Sequence, residues 1–286
     1  MIPTKERNHQ ALLLTHKEEG LLFDCGEGTQ RQLKIAGIKP TKITRIFISH
    51  WHGDHVLGLP GLLQTLNSLE YERCLEIYGP LGTKKRVLKI FSAFNFTVGY
   101  EFKVSELKDN ALIDLKELEI TARVLDHSLL CLGFSVIEKD KRKIKKNFLK
   151  KNNIPDGPHL KDLKENKAIT WNNKRISPDE ATFLVRGKKI TIILDTVPCK
   201  NALDLAKKAD LLISEAVYSS QLNNKAIEYK HMTAKQAAQL AVQADAKQLI
   251  LTHFSQRYKT TEALCEEAEQ FFKNTKCAFD FMKITV

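Results

Sequence analysis

Short apolar runs recur along this chain, and each ends in a residue able to bind a metal or carry a proton. They are LLFDCGEG (21–28), IFISHWHGDH (46–55), ITARVLDH (120–127), ITIILDT (190–196), LLISEA (211–216) and LILTHF (249–254). Runs of Leu, Ile and Val without strict alternation predict strands covered on both faces. Helical periodicity occupies several intervals between them, over 58–69 and 200–208. TAKQAAQLAVQA (233–244) opens with Thr233 and Gln236 in capping-box register, and TTEALCEEAEQFFKN (260–274) is amphipathic. The pattern predicts an α/β layered architecture with its polar strand ends gathered along one edge. Ligands of open α/β sheets bind at the carboxyl ends of strands, so that edge is the expected active face.

Residues 138–175 break the rhythm. They are poor in apolar periodicity, rich in Lys and Asn, and contain IPDGP. The segment is too long for an ordinary connection and is predicted to project from the body as an arm. It holds 13 Lys/Arg against 5 Asp/Glu, a net +8, which leaves only +3 of the chain's +11 for everything else. Such a local field suits a polyanion, either nucleic acid or an acidic membrane surface.

A chain of 286 residues with 43% hydrophobic content can bury a large core. No apolar run approaches the ~20 residues that span a bilayer, and MIPTKERNHQ lacks the apolar stretch of a signal peptide. Cysteines at 25, 74, 131, 199, 265 and 277 form no C-x-x-C pair. That pattern predicts reduced thiols in a cytoplasmic protein rather than a disulfide frame. Cys25 and Cys199 are expected to be structural.

The densest chemistry is S-H-W-H-G-D-H, Ser49 to His55. His50 and His52 project from the same side of an extended segment. Gly53 is expected to turn the chain sharply so that Asp54 and His55 fold back toward them. Imidazoles with a carboxylate are the usual zinc ligand set. His127, Asp195 and His253 also end apolar strands. A single strand-terminal histidine is ordinarily structural, but these residues are all predicted on the edge that carries His50 and His52. Five imidazoles and two carboxylates exceed what one zinc can use, so two metals sharing a carboxylate are expected. Two-metal sites with ions ~4 Å apart hydrolyse phosphate esters or related bonds.

H-x-H-x-D-H after a strand resembles the signature of the metallo-β-lactamase superfamily. PTKERN (3–8), LFDCGEGTQRQL (22–33), ISHWHGDHVLGLPGLL (48–63) and LTHFSQRY (251–258) are more specific, and with them nearly the whole chain resembles the ribonuclease Z family of tRNA 3′-processing endonucleases. The resemblance implies one αββα sandwich domain over 1–286, with 138–175 inserted as a basic tRNA-binding arm. It implies two zinc ions per subunit, other divalent metals being possible. His50, His52 and His127 match the ligands of one metal; Asp54, His55 and His253 match those of the second, with Asp195 bridging. Asp54 matches the acceptor of the attacking water's proton, and His231 with Glu215 matches the pair that protonates the leaving oxygen. Lys5, Arg7, Lys161 and Arg257 are candidate contacts to precursor tRNA. The family makes a homodimer in which one subunit's arm grips tRNA bound to the other, without a membrane partner. The implied products are a 3′-hydroxyl on the tRNA and a 5′-phosphate on the trailer.

The chain departs from the family pattern in places. Members usually begin with a strand ahead of the P-x-K-x-R-N loop, whereas here Met1-Ile2-Pro3 leads straight into it, so that first strand is expected to be missing: either the true start lies upstream of Met1 or the protein tolerates an open sheet edge. Leu194, Ser214 and Met232 replace more frequent glycine, histidine and serine without removing a ligand. Two rivals stand beside this reading. One is a hydrolase of the same fold acting on a lactone, thioester or small phosphodiester, which would not need a +8 arm. The other is a metal-stabilised nucleic-acid-binding protein without turnover. His9, His16 and His159 carry no expected role.

Overall fold

The computed structural model describes residues 2–94 and 97–286; Met1 lies outside the described residues. Two sheets face each other. The first has five strands in the spatial order Leu12–His16, Glu19–Phe23, Arg45–Phe47, Leu75–Gly79 and Phe102–Glu106. The first pair is antiparallel and the others are parallel. The second has seven strands in the order Thr275–Cys277, Leu249–Thr252, Leu211–Glu215, Lys189–Ile193, Cys131–Glu138, Leu118–Leu125 and Ala111–Asp114. Its first four strands are mutually parallel and the last three connections antiparallel.

Side chains alternate across each pleat, so every central strand serves two cores. Leu21 and Phe23 point between the sheets, where Phe23 stacks on Phe47 at 4.9 Å and both rings meet Phe134 of the opposite sheet. Leu22, Ile46 and Ile77 point outward, against Leu59, Leu62, Leu63 and Leu66 of the helix Leu59–Ser68. On the far side Leu212, Leu249 and Leu251 pack against Ala237, Ala238 and Ala241 of the helix Ala234–Gln243. The result is an αββα sandwich. Its apolar runs lack alternation because both faces of their strands are buried, as expected. The capping box is also present: Thr233 Oγ1 accepts from the Gln236 N–H, and the Gln236 side chain accepts from the Thr233 N–H.

Residues 3–10 form no strand, and Leu12–His16 stands at the edge of its sheet. A groove of about 820 Å³ runs along that edge, lined by Leu12, Leu14, Leu118, Ile213 and Met282 among others.

The basic segment has more structure than its composition suggests. Lys141–Ile144 pairs antiparallel with Thr182–Val185 to form a stem. Above it lie the helices Lys146–Lys151 and Leu160–Lys164 and a hairpin, Ile169–Trp171 with Lys174–Ile176. Leu149, Ile154, Leu160, Leu163, Ile169, Ile176 and Ala181 make a separate small core. The structure around the basic segment thus extends past residue 175, through the paired strand that ends at Val185. Its apolar residues are spaced over short elements of changing type, so no single periodicity reveals them.

Candidate active site

The strand Arg45–Phe47 lies between two parallel neighbours, and its exit is fixed by the Ile48 N–H on the Tyr78 carbonyl at 2.8 Å. Across the sandwich, the Leu132 N–H donates to the Ser49 carbonyl at 2.9 Å, which ties the two sheets together at this point. His50 and His52 follow. Gly53 does not make the expected turn; it is the first residue of a short helix, Gly53–Val56, whose first turn carries Asp54 and His55. Glycine is needed elsewhere for close approach. A Cβ at Gly58 would lie 1.9 Å from the Gly26 carbonyl oxygen, and one at Gly26 would lie 2.5 Å from the Asp54 carbonyl oxygen. This contact seats the loop after Glu19–Phe23 directly on the helix that presents Asp54.

His127 and Asp195 sit just beyond the strands Leu118–Leu125 and Lys189–Ile193, Glu215 ends Leu211–Glu215, and His253 follows Leu249–Thr252. His231 precedes the capped helix Ala234–Gln243. All seven predicted metal donors and the His231–Glu215 pair converge on one edge. His50 Nε2 lies 2.9 Å from His52 Nδ1, and His127 Nε2 lies 3.3 Å from the same atom. Asp195 Oδ2 is 3.6 Å from His50 Nε2 and 3.8 Å from His127 Nε2. On the other side, His55 Nε2 is 3.1 Å from His253 Nε2 and 3.6 Å from Asp54 Oδ2. Asp54 Oδ2 is 3.4 Å from His253 Nε2, and Asp195 Oδ2 reaches His55 Nε2 at 3.5 Å. Asp195 thus touches both groups.

These spacings suit a metal. Tetrahedral coordination at ~2.0–2.1 Å sets neighbouring donors roughly 3.3 Å apart, the middle of the range here. Among the described residues the donors form three overlapping sets, His50, His52, His127 and Asp195; Asp54, His55 and His253; and Asp195, His231 and His253, within which the ligand atoms lie no more than 4.8 Å apart. Buried polar atoms without hydrogen-bond partners include Asp195 Oδ1 and His253 Nδ1. They face each other at 3.2 Å in poor hydrogen-bond geometry.

Partners behind the imidazoles select the ligating nitrogen. A carboxylate and a carbonyl can only accept. His55 Nδ1–H therefore donates to Asp24 Oδ2 at 2.6 Å, and His127 Nδ1–H to the Lys230 carbonyl at 2.9 Å. In each ring Nε2 is the nitrogen that faces the other donors and would meet a metal. Ser49 Oγ lies 3.0 Å from His50 Nδ1 and itself donates to Asp24 Oδ2 at 2.7 Å. Sequence reasoning placed a potential ligand at the end of the strand bearing Asp24, but not this orienting role. The strand ending in a carboxylate was the available signal; the partners are 25 and 31 positions away.

Electrostatics follow from burial and neighbours. Burial pulls His50 down to about 2 and also lowers His52 and His127, favouring the neutral imidazole that ligates a metal. Burial raises carboxyl pKa values, yet surrounding imidazoles outweigh it at Asp195 and Asp54 and hold both well below the usual range. Burial opposes charge on His55, but Asp195 and Asp24 prevail and raise it. His231 behaves alike: Glu215, 3.1 Å from Nδ1, overcomes burial and pushes it up to about 9. Cys25 is a buried thiol that desolvation pushes up to about 12, consistent with a structural role.

The candidate RNA contacts are not all alike. Lys5 is exposed, and Lys161 lies on an arm helix, 3.6 Å from Glu165. The Arg257 guanidinium lies 5.2 Å over the Tyr218 ring, and Tyr218 meets His231 edge-on at 6.3 Å. Arg7 is engaged by backbone carbonyls. His159, given no role, stacks on Trp171 within the arm at 5.2 Å.

Comparison with known proteins sets this geometry in context. The chain is 37% identical over 286 residues to ribonuclease Z of Methanothermobacter thermautotrophicus, covering 100% of this chain and 93% of that protein. It is 39% identical over 290 residues to ribonuclease Z of Archaeoglobus fulgidus, covering 100% and 94%. The crystal structure of the short form of human tRNase Z superposes with a TM-score of 0.73 at 30% identity, covering 100% of this chain and 95% of that one. The metallo-β-lactamase fold protein YhfI of Bacillus subtilis, 18% identical with a TM-score of 0.69 over 97% and 91% of the two chains, shares the fold alone. A family model described as anti-Pycsar protein Apyc1 matches residues 3–90. Among the described residues no helix is long and apolar enough to cross a membrane.

Proposed function

The chain belongs to the ribonuclease Z family, and from that premise we propose that it is a zinc-dependent endoribonuclease removing the 3′ trailer of precursor tRNA. The observation that carries this reading is the convergence of seven donors, drawn from positions 50 to 253, at spacings that suit tetrahedral metal sites. His50, His52 and His127 would hold one ion, Asp54, His55 and His253 the other, with Asp195 between them. Zinc suits this imidazole-rich set; manganese and iron accept the same ligands. When bound, such a pair lowers the pKa of water from 15.7 to roughly 7 and offsets charge growing on the phosphoryl oxygens.

The remaining steps belong to the side chains. Asp54 orients the attacking water and takes one of its protons as the oxygen adds to phosphorus. The P–O3′ bond then breaks, and an alkoxide leaves poorly unless it is protonated. His231, kept as imidazolium by Glu215, is suited to donate that proton. The products are a 3′-hydroxyl on the tRNA and a 5′-phosphate on the trailer.

Lys5, Lys161 and Arg257 are suited to phosphate contacts, and the arm's excess of Lys and Arg supplies the charge for gripping tRNA away from the cleavage point. In the homodimer that the family implies, this grip comes from the partner subunit. Six free thiols suit a reducing, cytoplasmic setting.

The purified protein incubated with a 3′-extended tRNA should cleave next to the discriminator base, and a chelator should stop it. Turnover of a lactone without tRNA cleavage, or tight tRNA binding by a two-metal protein that never cuts, would overturn the assignment.

A further inference from the structure

Two loops nearly the whole chain apart meet through one guanidinium. Arg7 Nη2 donates to the Tyr258 carbonyl at 2.6 Å and the Ser255 carbonyl at 3.4 Å, and Nη1 donates to the Lys259 carbonyl at 3.3 Å. A planar fork with several fixed donors can reach three carbonyls of one turn together, which a lysine ammonium matches poorly. The loop that presents Arg7 is itself closed. Thr4 N–H donates to the Arg7 carbonyl at 2.9 Å, while the Arg7 N–H donates to Thr4 Oγ1 at 3.0 Å. Next to it, the Asn8 backbone and side-chain N–H groups both donate to Asp280 Oδ2.

The gripped turn adjoins the active site. It begins just after His253, a non-glycine residue held in the left-handed region at a φ of 58°. Such strain persists only where the surroundings over-determine it. The Ser255 N–H donates to the Val217 carbonyl at 3.2 Å, and Arg257 Nε donates to Ser255 Oγ at 3.1 Å. The Tyr258 hydroxyl accepts from the Ser219 N–H at 2.8 Å. Arg257 covers Tyr218, which in turn abuts His231. The bonds to Val217, Ser219 and Tyr218 all start from residues 255–258, and Arg7 holds that turn from outside, while the Tyr218 backbone is also tied to Met232 and Ala234.

We propose that Arg7 is a positioning residue that fixes the turn 255–259, and through it His253, Arg257 and Tyr218, rather than a contact to RNA. Its effect on turnover rests on the ribonuclease reading above; its effect on the turn does not. Arg7→Lys and Arg7→Met, made in the full chain and checked by thermal melting, test both. Without RNA, hydrogen–deuterium exchange at the amides of 255–259 and Ser219 should accelerate by about tenfold in each variant. With a 3′-extended tRNA and with bis(p-nitrophenyl) phosphate, kcat should fall by the same factor, about tenfold, while KM for tRNA and its salt dependence stay put. Arg7→Lys retains the charge, so a loss there isolates the fork geometry and remains readable if Arg7→Met fails to fold. Unchanged exchange, with a higher KM for tRNA alone and a shallower salt slope, would make Arg7 an RNA contact and overturn the proposal. Faster exchange in a protein whose wild type cleaves neither substrate would instead leave the brace standing and remove the ribonuclease reading.

Discussion

His55 Nδ1 stands 2.6 Å from Asp24 Oδ2, and both side chains are wholly buried. The same carboxylate accepts from Ser49, N–H and hydroxyl, so one group sets the tautomer of His55 directly and steadies His50 through Ser49. Such outer partners are typically worth 10–100-fold in metal affinity. Asp24→Ala should therefore lose roughly that much affinity, measured by competition with a chromophoric chelator. Asp24→Asn keeps one acceptor oxygen and should fall between. Wild-type affinity in Asp24→Ala would show that the ring needs no orienting partner.

Asp54 has two tasks in the proposed mechanism, as ligand and as proton acceptor. Its buried carboxylate is held well below the usual range despite desolvation, because His253 and His55 lie against it. A base of that strength cannot act far from a strongly acidified water, which ties its role to a loaded site. Asp54→Ala should lower kcat by about 10²–10⁴ while tRNA binding, read by filter retention, changes by no more than roughly twofold. Wild-type-like turnover would remove Asp54 from the chemistry.

His231 gives a pH dependence with a definite sign. Burial disfavours its cation, but Glu215 and Asp195 overcome it and push the pKa up to about 9. The proton donor is thus present at neutral pH, and kcat should decline as pH rises through about 9. Glu215→Gln removes the principal opposing charge and leaves burial, so the alkaline limb of the pH–rate profile should move down toward neutrality. Stability follows the same linkage. A pKa raised above its unfolded value contributes fully below ~6.5 and is lost as pH rises through the folded value, so Tm should carry a matching decline in wild type and not in Glu215→Gln. An unmoved alkaline limb in Glu215→Gln would assign it to another group.

Much of this site could be read from the chain because each donor ends an apolar strand. Strands that run in one direction end on one edge, whether paired directly or two antiparallel steps apart, so His127, Asp195 and His253 were predictable as neighbours of His50 without knowledge of any contact. What stayed hidden depends on side-chain direction across long separations. Asp24 reads as one more strand-terminal ligand, and only its position behind His55 turns it into an orienter. Arg7 looks like a free cation in a polar loop until its guanidinium is found on the carbonyls of residues 255, 258 and 259. The arm's core escaped for another reason: Leu149, Leu163 and Ile176 come from elements of three to six residues, too short for a period to emerge.

That arm can be removed along a line the sheet itself defines. Cys131–Glu138 and Lys189–Ile193 are antiparallel neighbours, Ile137 opposite Lys189, and the Glu138 N–H donates to the Lys188 carbonyl at 2.8 Å. Excising residues 140–186 and joining the ends by a short turn leaves an ordinary hairpin in the seven-stranded sheet. The excised apolar residues pack mainly on one another, so the body loses little buried surface. Most of the local positive charge goes with them. The shortened protein should melt near the wild-type temperature and hydrolyse bis(p-nitrophenyl) phosphate normally, while KM for 3′-extended tRNA rises. The salt slope of tRNA binding should also flatten, since each lost phosphate contact removes its share of released counterion. A parallel loss on both substrates would mean that the arm acts through the folding of the body instead.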